Sequence, residues 1–223
     1  MRLWTVQPIE VYRAIQKEGF ARVEPVKLPS PWWVGSSYRW LIWQMGSRLS
    51  IPDEESQRGI FPWFAYCERP DLRLVRHSQV GEQVLIGFCP PADRFLSFPC
   101  WAWGEIFCGF FLAFTRQEYR AWEAKFKLCH ACRYRDWDSP ILPRPFQTEL
   151  ESSWARLFDP DIPKRSWRRG ETSHREAVVD ILLEDWIQKV TPFWGRNALL
   201  NQVDAYRPDS QGRSSEYPKS LTR

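Results

Sequence analysis

The 223 residues are 43% hydrophobic and 26% charged, enough apolar material for a buried core, which excludes a bare peptide or a fibre. Lys plus Arg numbers 31 against 27 Asp plus Glu, a formal net charge of +4 that admits an anionic ligand without requiring one. Aromatic residues reach 16%, with 14 Trp and 14 Phe, a load that fills cores and, where rings stay exposed, forms recognition surfaces.

Leu3-Trp4-Thr5-Val6 is a short β-prone run. Gln7-Pro8 then introduces a predicted helix over Ile9 to Lys17, with Pro in the first turn and Gly19 where a helix C′ glycine belongs. Phe20 to Val23 reads as a second strand, and Pro25, Pro29 and Pro31 forbid regular structure before the next helix, predicted over Ser36 to Leu49. Phe61 to Cys67 and Gln83 to Cys89 read as strands, the second central in a sheet, and Arg94 to Phe98 as another after Pro90-Pro91. Cys100 to Phe114 is aromatic enough to lie largely inside.

Thr115-Arg116-Gln117-Glu118 spells a capping box for a helix whose Tyr119, Trp122, Phe126 and Cys129 share one side. Thr148-Glu149-Leu150-Glu151 repeats the pattern ahead of Trp154, Leu157 and Phe158. Ala177 to Leu183 and Lys189 to Phe193 are the last predicted strands. Helices interspersed with short strands, outside strict βαβ alternation, predict one α+β domain over residues 1 to 195. Its sheet is mixed or antiparallel and flanked by helices, and a disordered tail follows from 196 to 223.

The opening residues lack the charged and apolar pattern of a signal peptide, and no run of about 18 apolar residues occurs. A cytoplasmic protein with no membrane segment is therefore expected. Its six cysteines (Cys67, Cys89, Cys100, Cys108, Cys129, Cys132) are expected to be reduced thiols. Cys129-His130-Ala131-Cys132 is a CxxC without a second ligand pair, His77 and His174 being the only other histidines, so no metal site is expected.

Three stretches carry a resemblance: Leu3-Trp4-Thr5-Val6-Gln7-Pro8-Ile9-Glu10-Val11, Arg69-Pro70-Asp71-Leu72-Arg73, and Phe95-Leu96-Ser97 running into Trp101 and Trp103. Together they resemble the bacterial family known as domain of unknown function number 3841, over residues 1 to 195. No activity comes with that resemblance. The family pattern places acidic and His residues beside the Leu-Ser and Trp positions, where this chain has Phe98, Pro99, Cys100 and Gly104, so the resemblance implies a polar site that is incomplete here. The order strand, helix, Gly, strand at the start is also similar, more distantly, to the opening of ADP-ribosyltransferase-like domains. That likeness implies NAD as a ligand and Glu176 as the catalytic carboxylate bonding a ribose hydroxyl, with Thr5 where the family carries a ligand-contacting His or Arg.

Beside the resemblance, two readings compete for each candidate residue. Arg69 and Arg73, with Asp71 between them, either clamp a phosphate or carboxylate or belong to a solvated turn. Trp4, Trp63, Trp101 and Trp103 either wall a pocket in which a flat ring stacks or fill the core. Thr5 and Gln7 either face a cleft at the end of the first strand or, for Gln7, cap the following helix. Glu176 is either catalytic or paired with His174 or Arg175. The basic loop Lys164-Arg165-Ser166-Trp167-Arg168-Arg169 is either a nucleic-acid contact or a solvated loop. No nucleophile elbow, Walker loop or GxGxxG is present, which removes the serine-hydrolase and nucleotide-phosphate folds. The function expected is binding of a nucleotide-like or NAD-like anionic ligand. The rival is a non-enzymatic module gripping protein or nucleic acid, in a phage or defence setting.

Overall fold

The β-prone opening run forms a strand, β1 (Leu3–Pro8), which buries Leu3, Trp4 and Thr5. Pro8 sets the turn into α1 (Ile9–Glu18), and Gly19 ends it in the left-handed conformation at φ 80, its N–H donating to the Ile15 carbonyl at 2.7 Å. The computed structural model describes residues 1–23, 36–53, 59–72, 81–128, 144–164, 166–167 and 174–195. The proposed Arg73, the CxxC at Cys129 to Cys132, Arg165, Arg168 and Arg169 of the basic loop and the 196–223 tail lie outside them.

The remaining elements are β2 (Phe20–Ala21), α2 (Ser36–Arg48), β3 (Trp63–Tyr66), β4 (Gly81–Phe88), β5 (Leu96–Pro99), α3 (Cys100–Phe107), α4 (Arg116–Leu128), α5 (Arg144–Trp154), β6 (Arg175–Val179), β7 (Leu182–Leu183) and β8 (Ile187–Gly195). Six strands form one antiparallel sheet in the order β5-β6-β3-β1-β4-β8, and β2 pairs with β7 in a small second sheet. The fold is α+β. Pro192 lies within β8, which as an edge strand spends no ladder hydrogen bond on the missing N–H.

The two sheet faces carry separate cores. Leu3, Trp63, Ala65, Val84, Ile86 and Phe88 pack with Ile15 of α1, while Phe98 and Val178 pack with Trp40, Leu41 and Met45 of α2, Trp103 of α3 and Trp154 of α5. Consecutive residues Ala177, Val178 and Val179 are all fully buried, as a strand covered on both faces requires.

Three expectations shift. The strand expected from Arg94 begins at Leu96, because Ala92–Arg94 forms a short 3-10 turn after the prolines. The strand expected through Ala177 to Leu183 breaks at Asp180, whose buried carboxylate turns to meet the Arg94 guanidinium at 2.9 Å. Thr148 is not a cap: α5 starts at Arg144, with Pro145 accommodated in its first turn. Among the described residues no helix is long and apolar enough to cross a membrane.

Candidate functional site

Register assembles the site. Trp4 of β1 pairs with Tyr66 of β3, Tyr66 pairs with Glu176 of β6, and Glu176 pairs with Phe98 of β5. Directly opposed residues of antiparallel strands share a face, so these side chains form one row across the sheet, on the face that packs against α2, α3 and α5. The ladder continues one step past β5 and β6, where the Cys100 N–H donates to the His174 carbonyl at 3.0 Å. This bond brings Cys100, the first residue of α3, and His174, two residues before Glu176, to the Glu176 end of the row.

The outcome is a cluster of three unlike donors. Cys100 Sγ, a His174 ring nitrogen and a Glu176 carboxylate oxygen all lie within 4.8 Å of one another, with His174 Nε2 and Glu176 Oε1 3.2 Å apart. His174 is exposed, and Cys100 and Glu176 are half-buried. Tyr66 closes one side, its ring 6.0 Å from that of His174. Burial pushes the Tyr66 phenol above its ordinary value, and the negative charge of Glu176, joined by that of Cys100 whenever its thiol is ionised, pushes the same way, so Tyr66 stays a protonated hydrogen-bond donor. On the opposite face Cys67 is a different case, its thiol pushed up to about 11, chiefly by burial. It is an inert thiol at neutral pH.

At the β1 end of the row, Trp4 is 7% exposed and packs its six-membered ring against Gly87. The guanidiniums of Arg2 and Arg69 sit 5.7 and 5.8 Å from the centre of its ring. Exposed Arg69 and Asp71, with Pro70 and Leu72, line an open depression of about 470 Å³.

The other sequence candidates go elsewhere. Thr5 and Trp63 belong to the α1 face, where Thr5 Oγ1 accepts from Gln7 Nε2 at 2.7 Å and Trp63 Nε1 at 3.3 Å and donates to the Phe64 carbonyl. These three side chains satisfy one another on the side of the sheet away from Glu176. Trp103 is core, packed on Phe98 and Phe64, and Trp101 donates its indole N–H to the Pro163 carbonyl at 3.0 Å. Trp167 of the basic loop likewise donates to the Ala113 carbonyl at 3.0 Å and packs against Tyr119.

The structure thus brings Trp4, Arg69 and Glu176 to one face and sends Thr5, Gln7 and Trp63 to the other. The sequence offers His174 as a partner of Glu176, which the structure shows, but not Cys100 and His174 as site residues. One signal was there: His174-x-Glu176 has the strand period of two that puts both side chains on one face. The third member depends on the pairing of β5 with β6, which no local pattern encodes.

Residues 2–188 match the model of the family described as Domain of unknown function (DUF3841), and the chain belongs to that family. No curated protein and no solved structure matches it.

Proposed function

We propose that this member of the family binds a nucleotide-like anionic ligand, of the class that includes NAD and ADP-ribose, beside the Arg69 end of the Trp4, Tyr66 and Glu176 row. One observation carries the reading: the Arg69 guanidinium rests 5.8 Å from the centre of the Trp4 ring while remaining exposed. A guanidinium held on an aromatic face loses less freedom when it binds, and its fork of N–H donors matches phosphate. Its flat outer face can also stack a base, a task the buried Trp4 ring cannot perform itself. Tyr66 and Glu176, next in the row, supply a donor and an acceptor for ribose hydroxyls.

Thermal unfolding of the full chain with NAD, ADP-ribose, AMP and uncharged adenosine tests the reading. Ligand that binds only the folded state stabilises it, by about 2.7 kcal/mol at a hundred times Kd. The phosphate-bearing compounds are expected to raise Tm and adenosine to leave it unchanged. Arg69→Ala should abolish the shift while the unliganded Tm stays near wild type, as befits an exposed position. No shift with any of the compounds, or an equal shift in Arg69→Ala, overturns the proposal. A rival reading, docking onto protein or nucleic acid, has in its favour the indoles of Trp43 and Trp194, which are 65% and 64% exposed. Salt-dependent oligonucleotide binding without nucleotide stabilisation would support it.

A further inference from the structure

We infer that Cys100, His174 and Glu176 form a site for a borderline-soft divalent cation of the zinc class, with three protein ligands and a fourth position open. The inference goes beyond the anion-binding reading and does not depend on it.

The donor set comes first. One thiolate, one imidazole and one carboxylate are the ligand types zinc takes, and three of them with an open position is the pattern of sites that bind water or substrate. Their charges suit the ion, since the thiolate and the carboxylate together balance two positive charges. Geometry comes second. Two bonds of about 2.0–2.1 Å meeting at the tetrahedral angle hold their donor atoms about 3.3 Å apart. His174 Nε2 and Glu176 Oε1 stand at 3.2 Å. A sulfur bonded at about 2.3 Å would stand about 3.6 Å from each of the other two donors. The Cys100 thiol already lies within 4.8 Å of both, so little more than an ångström of movement closes the set.

Rigidity comes third. Glu176 lies inside a six-stranded sheet, paired on both sides, and the backbones of Cys100 and His174 are bonded to each other at 3.0 Å. A ligand on a doubly paired strand, with the other two tied to each other through their backbones, holds the spacing before the ion arrives. Arg175, between His174 and Glu176, is turned to the opposite face and donates to the Ser97 carbonyl and hydroxyl at 2.9 and 3.1 Å, which keeps its charge off the site's side of the strand. On binding, the Cys100 thiol gives its proton to solvent and the sulfur lone pair goes to the metal, so uptake weakens as pH falls.

Cobalt(II) is the probe, because a thiolate ligand gives it a near-ultraviolet charge-transfer band and a tetrahedral field gives it intense visible absorption. The full chain, stripped with chelator and kept reduced, is titrated with Co²⁺ and then with Zn²⁺, in the absence of nucleotide. The expected result is one Co²⁺ per chain with the charge-transfer band, displaced by Zn²⁺. Cys100→Ser should lose the band. Loss of an outer-shell partner alone weakens metal sites about 10–100-fold, so His174→Ala should weaken Co²⁺ binding by at least about tenfold. His174 is exposed, and its substitution keeps the question answerable should Cys100→Ser fail to fold. The double variant Cys129→Ser, Cys132→Ser must keep the band. A band that survives Cys100→Ser, a band lost with the double variant, unchanged affinity in His174→Ala, or no uptake of Co²⁺ overturns the inference. Since the titration contains no nucleotide, failure of the anion reading leaves this result standing, and the reverse also holds.

Discussion

Gly87 is a residue whose identity follows from what lies on it. A Cβ built there would come 2.7 Å from Trp4 Cζ3 and 3.0 Å from Cε3, and the obstacle is a buried indole with little room to swing aside. Gly87→Ala therefore has to displace the ring on which Arg69 rests, a steric intrusion of the kind that costs about 1–3 kcal/mol. Urea unfolding followed by far-UV circular dichroism should show a lowered midpoint, and nucleotide stabilisation should fall with it. Wild-type stability in the variant would mean that Trp4 moves at no cost and that the Arg69 platform is soft. At this scale the sequence was legible where a residue acts through its neighbours in the chain, as Gly19 does in ending α1. Gly87 acts through a residue on a different strand, and its spelling inside an apolar run gives no hint of Trp4.

Two segments with the same capping-box spelling behave differently, and the reason lies upstream of each. Ahead of α4, Thr115 Oγ1 accepts the Glu118 N–H at 3.1 Å, and the Glu118 carboxylate accepts the N–H groups of Phe114 at 2.7 Å and Thr115 at 3.3 Å. Around Thr148 the chain is already helical, because Pro145 fits the first turn of α5, and Gln147 donates to the Glu151 carboxylate within that helix. The box is a start signal only where no earlier residue can start the helix.

Burial acts to raise the Glu118 carboxyl, but the hydrogen bonds from Phe114 and Arg156 and the charge of Arg156 outweigh it, leaving the group below its ordinary 4.5. A folded value below the unfolded one means that the contribution is fully present above 4.5 and is lost as pH falls from there through the folded value. The stability gap between wild type and Glu118→Gln should therefore be widest near neutral pH and close progressively in acid. A gap that does not vary with pH would show that the carboxylate charge contributes nothing to the cap. Thr115→Ala should cost about 1 kcal/mol in urea unfolding, the usual loss of an N-cap side chain.

Across the whole molecule, the antiparallel sheet joins residues that the sequence keeps far apart: Trp4 meets Tyr66 and Gly87, and Glu176 meets Phe98. Element types were legible because periodicity and punctuation are local. Strand order and register were not, because they follow from which faces the helices cover, and that is settled only when both cores close. The same arrangement makes β6 the shared wall. Val178 points into the core under α2, α3 and α5, and its neighbour Val179 into the core under α1, both fully buried. Trimming either to Ala removes two methyl groups from a filled core, a change worth about 2 kcal/mol. If the sheet couples the layers, Val178→Ala and Val179→Ala should each lower the urea midpoint seen by near-UV dichroism, which reads aromatic packing such as that of Trp40, Trp103 and Trp154, by the same amount as the midpoint seen by far-UV dichroism. Separation of the two curves in either variant would mean that one layer melts while the other holds, and the row from Trp4 to Glu176 would then lose the rigid backing on which its spacing depends.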